Sequence, residues 1–128
     1  MQIHQSAEDY LETILMLSQR MGKVRSIDVV NELGFTKASV SIAMKKLREN
    51  GYIAVDGEGN LTLLEPGREI AERIYSRHRL LTHFFVQLGV DEEIAAEDAC
   101  KAEHILSEQT LEKIREYALL HDAQDSVK

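Results

Sequence analysis

Three amphipathic segments lie within the first 50 residues, and the glycines between them restrict how this part of the chain can fold. Apolar residues recur at helical spacing in each segment, which predicts helices over residues 7–20, 26–33 and 36–49. Ser6 followed by Asp9 predicts a capping box for the first helix, while Ser26 and Thr36 are the predicted caps of the next two. Because Gly34 leaves only a short turn between the second and third helices, the pattern predicts a helix-turn-helix.

The pattern of apolar residues changes after Gly51. Residues 52–55 and 61–64 predict two short strands, and the Gly-rich turn between them predicts a hairpin, or wing. Pro66 and Gly67 then begin a long helix to about residue 88, followed by helices over 91–106 and 108–121, the last capped by Ser107. The fold class is therefore mainly α, with an N-terminal winged helix-turn-helix in residues 1–66 and an α-helical domain in residues 67–128.

Charge is distributed unevenly along the chain. The net charge is −7, yet residues 20–50 hold seven basic and three acidic side chains, a balance of +4, whereas residues 81–128 hold four basic and eleven acidic ones. The first segment can therefore face phosphates, and the carboxylates of the second suit cations.

The second helix of a helix-turn-helix enters the major groove of DNA. Its outward residues here combine short side chains, which allow close approach, with lysines suited to phosphates. The acidic turn of the wing, with Asp56 and Glu58, predicts little phosphate contact by the wing. An alternative is that the module is a scaffold or a protein-docking unit. The predicted DNA-contacting residues are Lys37, Ala38, Ser39, Ser41, Lys45 and Lys46.

Potential metal ligands recur at helical spacings that place them on shared helix faces. The C-x-x-E-H set in the second half is expected to aim a thiolate, a carboxylate and an imidazole at one point, which suits a divalent transition metal rather than magnesium or calcium. Taken singly, each residue also has an ordinary structural interpretation, such as a helix cap or a core hydrogen bond. The candidate ligands are Asp9, Glu12, His78, Cys100, Glu103 and His104, with His83 nearby.

These segments together resemble the diphtheria-toxin-repressor family of metal-dependent regulators, in particular its short manganese-sensing branch. The resemblance covers nearly the whole chain and rests on S-A-E-D-Y-L-E-T-I, T-K-A-S-V-S-I-A-M-K-K-L, the G-Y-I before the wing, L-T-L-L-E-P-G-R-E-I-A, R-H-R-L-L and A-C-K-A-E-H-I-L-S-E. It implies that residues 67–128 bind metal and dimerise, and that a homodimer binds a palindromic operator when loaded with metal. It also implies that the six candidate residues stand where family ligands stand.

The ligand set is a hybrid within that family. The manganese branch typically has glutamate where this chain has Cys100, and the iron branch has methionine where it has Asp9. A thiolate favours iron(II), cobalt, nickel or zinc, and the carboxylates keep the site acceptable to manganese. The resemblance therefore implies Mn²⁺ or Fe²⁺, with Co²⁺, Ni²⁺ or Zn²⁺ as surrogates. Thr82 and Ala96 stand where the iron branch offers ligands of an ancillary site, for which His83 is a possible substitute.

Two other classes of function compete with this repressor. A small metallohydrolase would use Glu103 or Glu12 as general base, but the chain lacks a phosphate-binding loop and an obvious nucleophile and base pair, so we expect no enzyme and no small-molecule substrate. A metal-independent regulator or protein-binding adaptor would bind its operator in the presence of chelators. A lone cysteine and the lack of an apolar run of roughly 20 residues predict a cytoplasmic protein with no membrane partner.

Overall fold

The computed structural model describes residues 5–127, and the side chains of residues 6–122. It divides the chain into two units, Met1–Arg73 and Ile74–Lys128. The domain boundary that the sequence places between residues 66 and 67 remains a prediction. Within the described residues, none of the helices combines the length and the apolar character needed to cross a bilayer.

Three helices make up most of the first unit: α1 (Gln5–Met21), α2 (Ser26–Leu33) and α3 (Lys37–Glu49). Thr36 caps α3 as predicted, because its Oγ1 accepts a hydrogen bond of 3.1 Å from the backbone N–H of Ser39. Gly34 ends α2 with φ of 70°, a left-handed conformation that glycine adopts without strain. The predicted helix-turn-helix is confirmed.

Two predicted helix caps are wrong. α1 begins at Gln5, so Ser6 lies inside its first turn and cannot cap it in the predicted box with Asp9. α2 is capped by Arg25 rather than by Ser26, and the backbone N–H of Arg25 donates a 2.9 Å hydrogen bond to Asp28 Oδ2. That bond satisfies an amide near the start of α2 that has no partner within the helix.

The wing is a three-stranded antiparallel sheet rather than a simple hairpin. Its strands are β1 (Val24–Arg25), β2 (Ile53–Val55) and β3 (Asn60–Leu63), in the order β1-β3-β2. The predicted β2–β3 hairpin is confirmed, with Ile53 opposite Leu63. β1, which the sequence does not predict, pairs Val24 with Leu61. The sheet therefore joins the wing to the segment between α1 and α2.

The core of the first unit forms where α1 packs against the other helices and the sheet. At Gly67 the backbone passes so close to Tyr52 that an added Cβ would lie 2.2 Å from the Tyr52 carbonyl oxygen. The absence of a side chain at Gly67 permits this approach. Almost completely buried core residues include Leu11, Ile14, Val24, Val29, Val40 and Ile53.

The remaining helices are α4 (Glu65–Gln87), α5 (Glu92–Ala102) and α6 (Glu108–Val127), and the division between the units falls within α4. α5 is shorter than predicted, so Glu103 is its C-cap and His104 lies in the following turn. Ser107 caps α6 as predicted, since the N–H of Thr110 donates a 3.2 Å hydrogen bond to its Oγ. The mainly α class and the winged helix-turn-helix followed by a helical domain are confirmed.

The core of the second unit is centred on Leu81, Ala99 and Leu111. From the sequence we expect Phe84, Leu88, Ile105, Leu111 and Ile114 to supply a dimer surface. Leu88 and Ile105 are exposed, but Leu111 is buried, so assigning Leu111 to that surface is wrong.

Candidate metal centre and DNA-binding surface

Glu103 is the centre of a buried polar cluster in the second unit. Its side chain is fully buried at the end of α5, where its backbone N–H continues the helix with a 2.9 Å hydrogen bond to the Ala99 carbonyl. Its Oε2 lies 3.0 Å from Nδ1 of His78 on α4, and its Oε1 lies 3.4 Å from Nε2 of His104. Because a buried carboxylate is costly without a positively charged partner, this position suits a cation.

The chemistry and spacing of the cluster fit a divalent transition ion. Such ions bind imidazole nitrogen and carboxylate oxygen at about 2.1 Å, so two ligands at right angles stand about 3.0 Å apart. His78 Nδ1 and Glu103 Oε2 have that separation, 3.0 Å, at which they also form a hydrogen bond without an ion. The Sγ of Cys100, an exposed residue, lies within 4.8 Å of a Glu103 carboxylate oxygen. Within the second unit, the structure therefore brings four of the six predicted ligands together.

The other two predicted ligands, Asp9 and Glu12, lie in the first unit, one turn apart on α1. Glu12 is buried and Asp9 is partly buried, an uncommon position for acidic side chains. Burial, and then the charge of Asp9, raise the pKa of the Tyr10 phenol between them. α1 therefore carries two acidic groups, one turn apart, that are at least partly shielded from solvent.

The sequence does not predict the part that Arg77 plays beside this cluster. Its Nη1 donates a 3.2 Å hydrogen bond to the Glu103 carbonyl, and its guanidinium pairs with the carboxylate of Glu108 on α6. A cation at the C-terminal end of α5 complements the helix dipole. Arg77 therefore fixes the turn that carries Glu103 and His104, although only its place next to His78 could have suggested a role.

His83, the possible substitute ligand, is bonded elsewhere. Its Nε2 lies 2.9 Å from Asp122 Oδ1, which also accepts a 2.8 Å hydrogen bond from Gln87. Thr82 Oγ1 donates to the carbonyl oxygen of His78 at 2.8 Å. The His83 and Gln87 bonds hold α4 against α6, and the Thr82 bond lies within α4.

α3 presents two chemically different faces. One face carries the buried residues Val40, Met44 and Leu47 and packs into the core of the first unit. The opposite face carries the six predicted DNA-contacting residues, all of them exposed, and Arg48 adds another exposed cation to it. The six predicted residues, all exposed, are Lys37, Ala38, Ser39, Ser41, Lys45 and Lys46.

Asp56 organises the turn of the wing. Its Oδ1 accepts hydrogen bonds from the backbone N–H groups of Glu58 and Asn60 at 2.9 and 2.8 Å, and its Oδ2 accepts one from the Asn60 side chain. The bonds from Asn60 are the main reason that the pKa of Asp56 is lowered. From β1, Arg25 Nε donates a 3.0 Å hydrogen bond to the Glu58 carbonyl, so the tip of the wing is anchored to the start of α2.

Both halves of the chain match family models. Residues 2–61 match the iron-dependent repressor N-terminal DNA-binding domain, and residues 64–120 match the iron-dependent repressor metal-binding and dimerisation domain. The cluster around Glu103 falls in the second match, and α3 falls in the first.

Individual proteins with similar sequences or structures are transcription regulators by name. An uncharacterised helix-turn-helix-type transcriptional regulator of Methanocaldococcus jannaschii is 36% identical over 113 residues, which cover 87% of this chain and 90% of the relative. The regulator MntR of Bacillus subtilis is 32% identical, covering 96% of this chain and 87% of the relative. A solved manganese-dependent transcriptional repressor in complex with manganese is 30% identical, with a TM-score of 0.79, over 88% of this chain and 52% of that one. The chain thus spans about half the length of that solved structure.

Proposed function

This chain belongs to the iron-dependent repressor family of metal-dependent, DNA-binding transcription repressors, and from that premise we propose which of its residues hold the metal ion and read the operator. The observation that carries the proposal is the fully buried Glu103 carboxylate, 3.0 Å from a nitrogen of His78 and 3.4 Å from a nitrogen of His104. When bound, the ion supplies a positive charge that compensates the negative charge of this buried carboxylate.

The proposed ligand set is that of the sequence and the family resemblance. In the second unit, Glu103 and the two histidines provide oxygen and nitrogen, and Cys100 provides sulphur. Arg77 positions the turn between them through the Glu103 carbonyl and is not itself a ligand. From the first unit, Asp9 and Glu12 complete the proposed set on the strength of their carboxylates and their spacing on α1.

We propose Mn²⁺ or Fe²⁺ as the physiological ion. The carboxylates suit manganese, and the Cys100 thiolate increases the affinity for iron(II) and later metals. Because Cys100 is exposed whereas Glu103 is buried, we expect Cys100 to tune the preference among ions and Glu103 to be required for all of them.

We further propose that the cytoplasmic protein acts as a homodimer on a palindromic operator. Two α3 helices would then enter successive major grooves, and their lysines would contact phosphates. If ion binding and operator binding are linked, each raises the affinity for the other by the same factor.

Ion-dependent thermal unfolding and DNA binding test the proposal together. Chelated protein is titrated separately with Mn²⁺ and with anaerobic Fe²⁺, using the parent, Glu103→Gln, Cys100→Ala and the matched control Glu97→Gln, which changes an exposed acid of α5. At an ion concentration of about 100 times Kd, the parent should gain about 2.7 kcal/mol of stability. Glu103→Gln should lose that gain and the ion-dependent DNA binding, Cys100→Ala should change the preferred ion, and Glu97→Gln should match the parent.

Two results would contradict the proposal. Ion-induced stabilisation that survives Glu103→Gln would place the ion elsewhere. DNA binding by the parent that is unaffected by chelators would contradict the proposed link between the Glu103 site and operator binding.

A further inference from the structure

Ile42 is an exposed apolar side chain in the middle of α3. It is 58% exposed, whereas the other large apolar residues of this helix, Val40, Met44 and Leu47, are buried. The exposed Phe35 just before α3 at least packs its ring against the edge of Tyr10. The packing of the first unit therefore does not account for the isoleucine at position 42.

The helical neighbours of Ile42 are all predicted DNA-contacting residues. On a helix surface, residues three and four positions apart lie side by side. For Ile42 those positions are Ala38, Ser39, Lys45 and Lys46, all exposed. An isolated apolar group flanked by two lysines suits a polyanion with an apolar feature better than it suits an apolar protein surface or a second copy of this basic helix.

We propose that Ile42 reads thymine in the major groove by contact with its C5-methyl group. That methyl is the apolar feature that base pairs present in the major groove, where the other groups are hydrogen-bond donors and acceptors. The Ile42 side chain has no donor or acceptor, so it discriminates by apolar contact alone. The proposal rests on the proposed function, because it needs α3 to be the reading helix.

Deoxyuridine substitution tests this contact atom by atom. Operator duplexes are first selected from a random library with ion-loaded parent protein, and each thymine is then replaced singly by deoxyuridine, which lacks only the methyl. At one position in each half-site we expect the parent to lose affinity about fourfold, the factor for a buried group worth about 0.8 kcal/mol. Ile42→Ala should show no such loss at that position, Ile42→Val should retain part of it, and the control Ile27→Ala, an exposed isoleucine of α2, should behave as the parent.

The outcomes separate the two levels of the proposal. Specific, ion-dependent binding in which deoxyuridine is tolerated at every position, or in which Ile42→Ala keeps the parent's fourfold loss, would overturn the role of Ile42 alone. Failure of the ion-loaded parent to select any sequence would refute the proposed function and this inference with it.

Discussion

Replacing Gly67 with alanine tests the close backbone approach in the first unit. Helix propensity alone predicts a gain of about 1 kcal/mol, because alanine forms helices better than glycine. The structure predicts a loss, since the new Cβ would lie 2.2 Å from the Tyr52 carbonyl oxygen, which also accepts a hydrogen bond from the Leu64 N–H. The two backbone segments must then separate by roughly 1 Å to reach ordinary contact.

The opposing effects can be compared in magnitude. Overpacking of this kind costs about 1–3 kcal/mol, and weakening the Leu64-to-Tyr52 hydrogen bond costs about 1 kcal/mol more. After the gain in helix propensity, we expect Gly67→Ala to be less stable than the parent by about 1–3 kcal/mol. For a chain of this size, that loss lowers Tm by roughly 3–10 °C.

Thermal unfolding followed by circular dichroism, in chelator, measures the effect. Gly57→Ala is the matched control, because an added Cβ at this turn of the wing meets nothing within 4 Å. We expect it to be neutral or stabilising by up to about 1 kcal/mol. A Gly67→Ala protein that melts at or above the parent's Tm would refute the reasoning about Tyr52.

Three further predictions concern single contacts. Thr36→Ala should lower the free energy of unfolding in urea by about 1 kcal/mol through loss of the α3 cap, and Thr36→Ser should retain it. Leu111→Ala should cost about 2–5 kcal/mol by the same measurement, because the side chain is buried in the second unit. Asp56→Asn should increase hydrogen exchange at the Glu58 amide at neutral pH. Because the pKa of Asp56 is lower in the folded protein, the stabilisation that its carboxylate provides is complete above pH 3.8, the ordinary pKa, and disappears as the pH falls through the pKa of the folded state. A difference in exchange between parent and variant that persists in stronger acid would contradict this.

The parts of the fold that the sequence predicts correctly depend on local chemistry. The periodic apolar positions of α3 and the hydroxyl of Thr36 act within a few residues of one another, so both can be identified from the sequence. β1 could not be predicted, because two residues are too few for a pattern and its partner, β3, comes from the other side of α2 and α3. The predicted caps of α1 and α2 were wrong because a local sequence pattern specifies the ends of a helix less well than its interior.

The candidate metal site also has parts that the sequence identifies and parts that depend on the packed structure. Residue types and i, i+3, i+4 spacing single out Cys100, Glu103 and His104, although α5 ends before the last two and a turn presents His104. The role of Arg77 could not be predicted, because its Nη1 bonds to a backbone carbonyl 26 positions along the chain. Every residue has a backbone carbonyl, so the sequence does not single out this one. Burial of Glu103, which makes it the central group, is likewise a property of the packed unit.

The two-residue strand β1 has a consequence for how the chain folds as it is synthesised. β3 is the central strand of the sheet, and the contact between Arg25 and the Glu58 carbonyl spans 33 positions. A two-stranded hairpin of this length is only marginally stable alone, and long-range pairing forms slowly because the intervening chain must first be ordered. The backbone groups of β1 can therefore pair with β3 only after residues 60 and 61 have been synthesised. The sheet that joins the wing to the segment between α1 and α2 is therefore completed only late in the synthesis of the first unit.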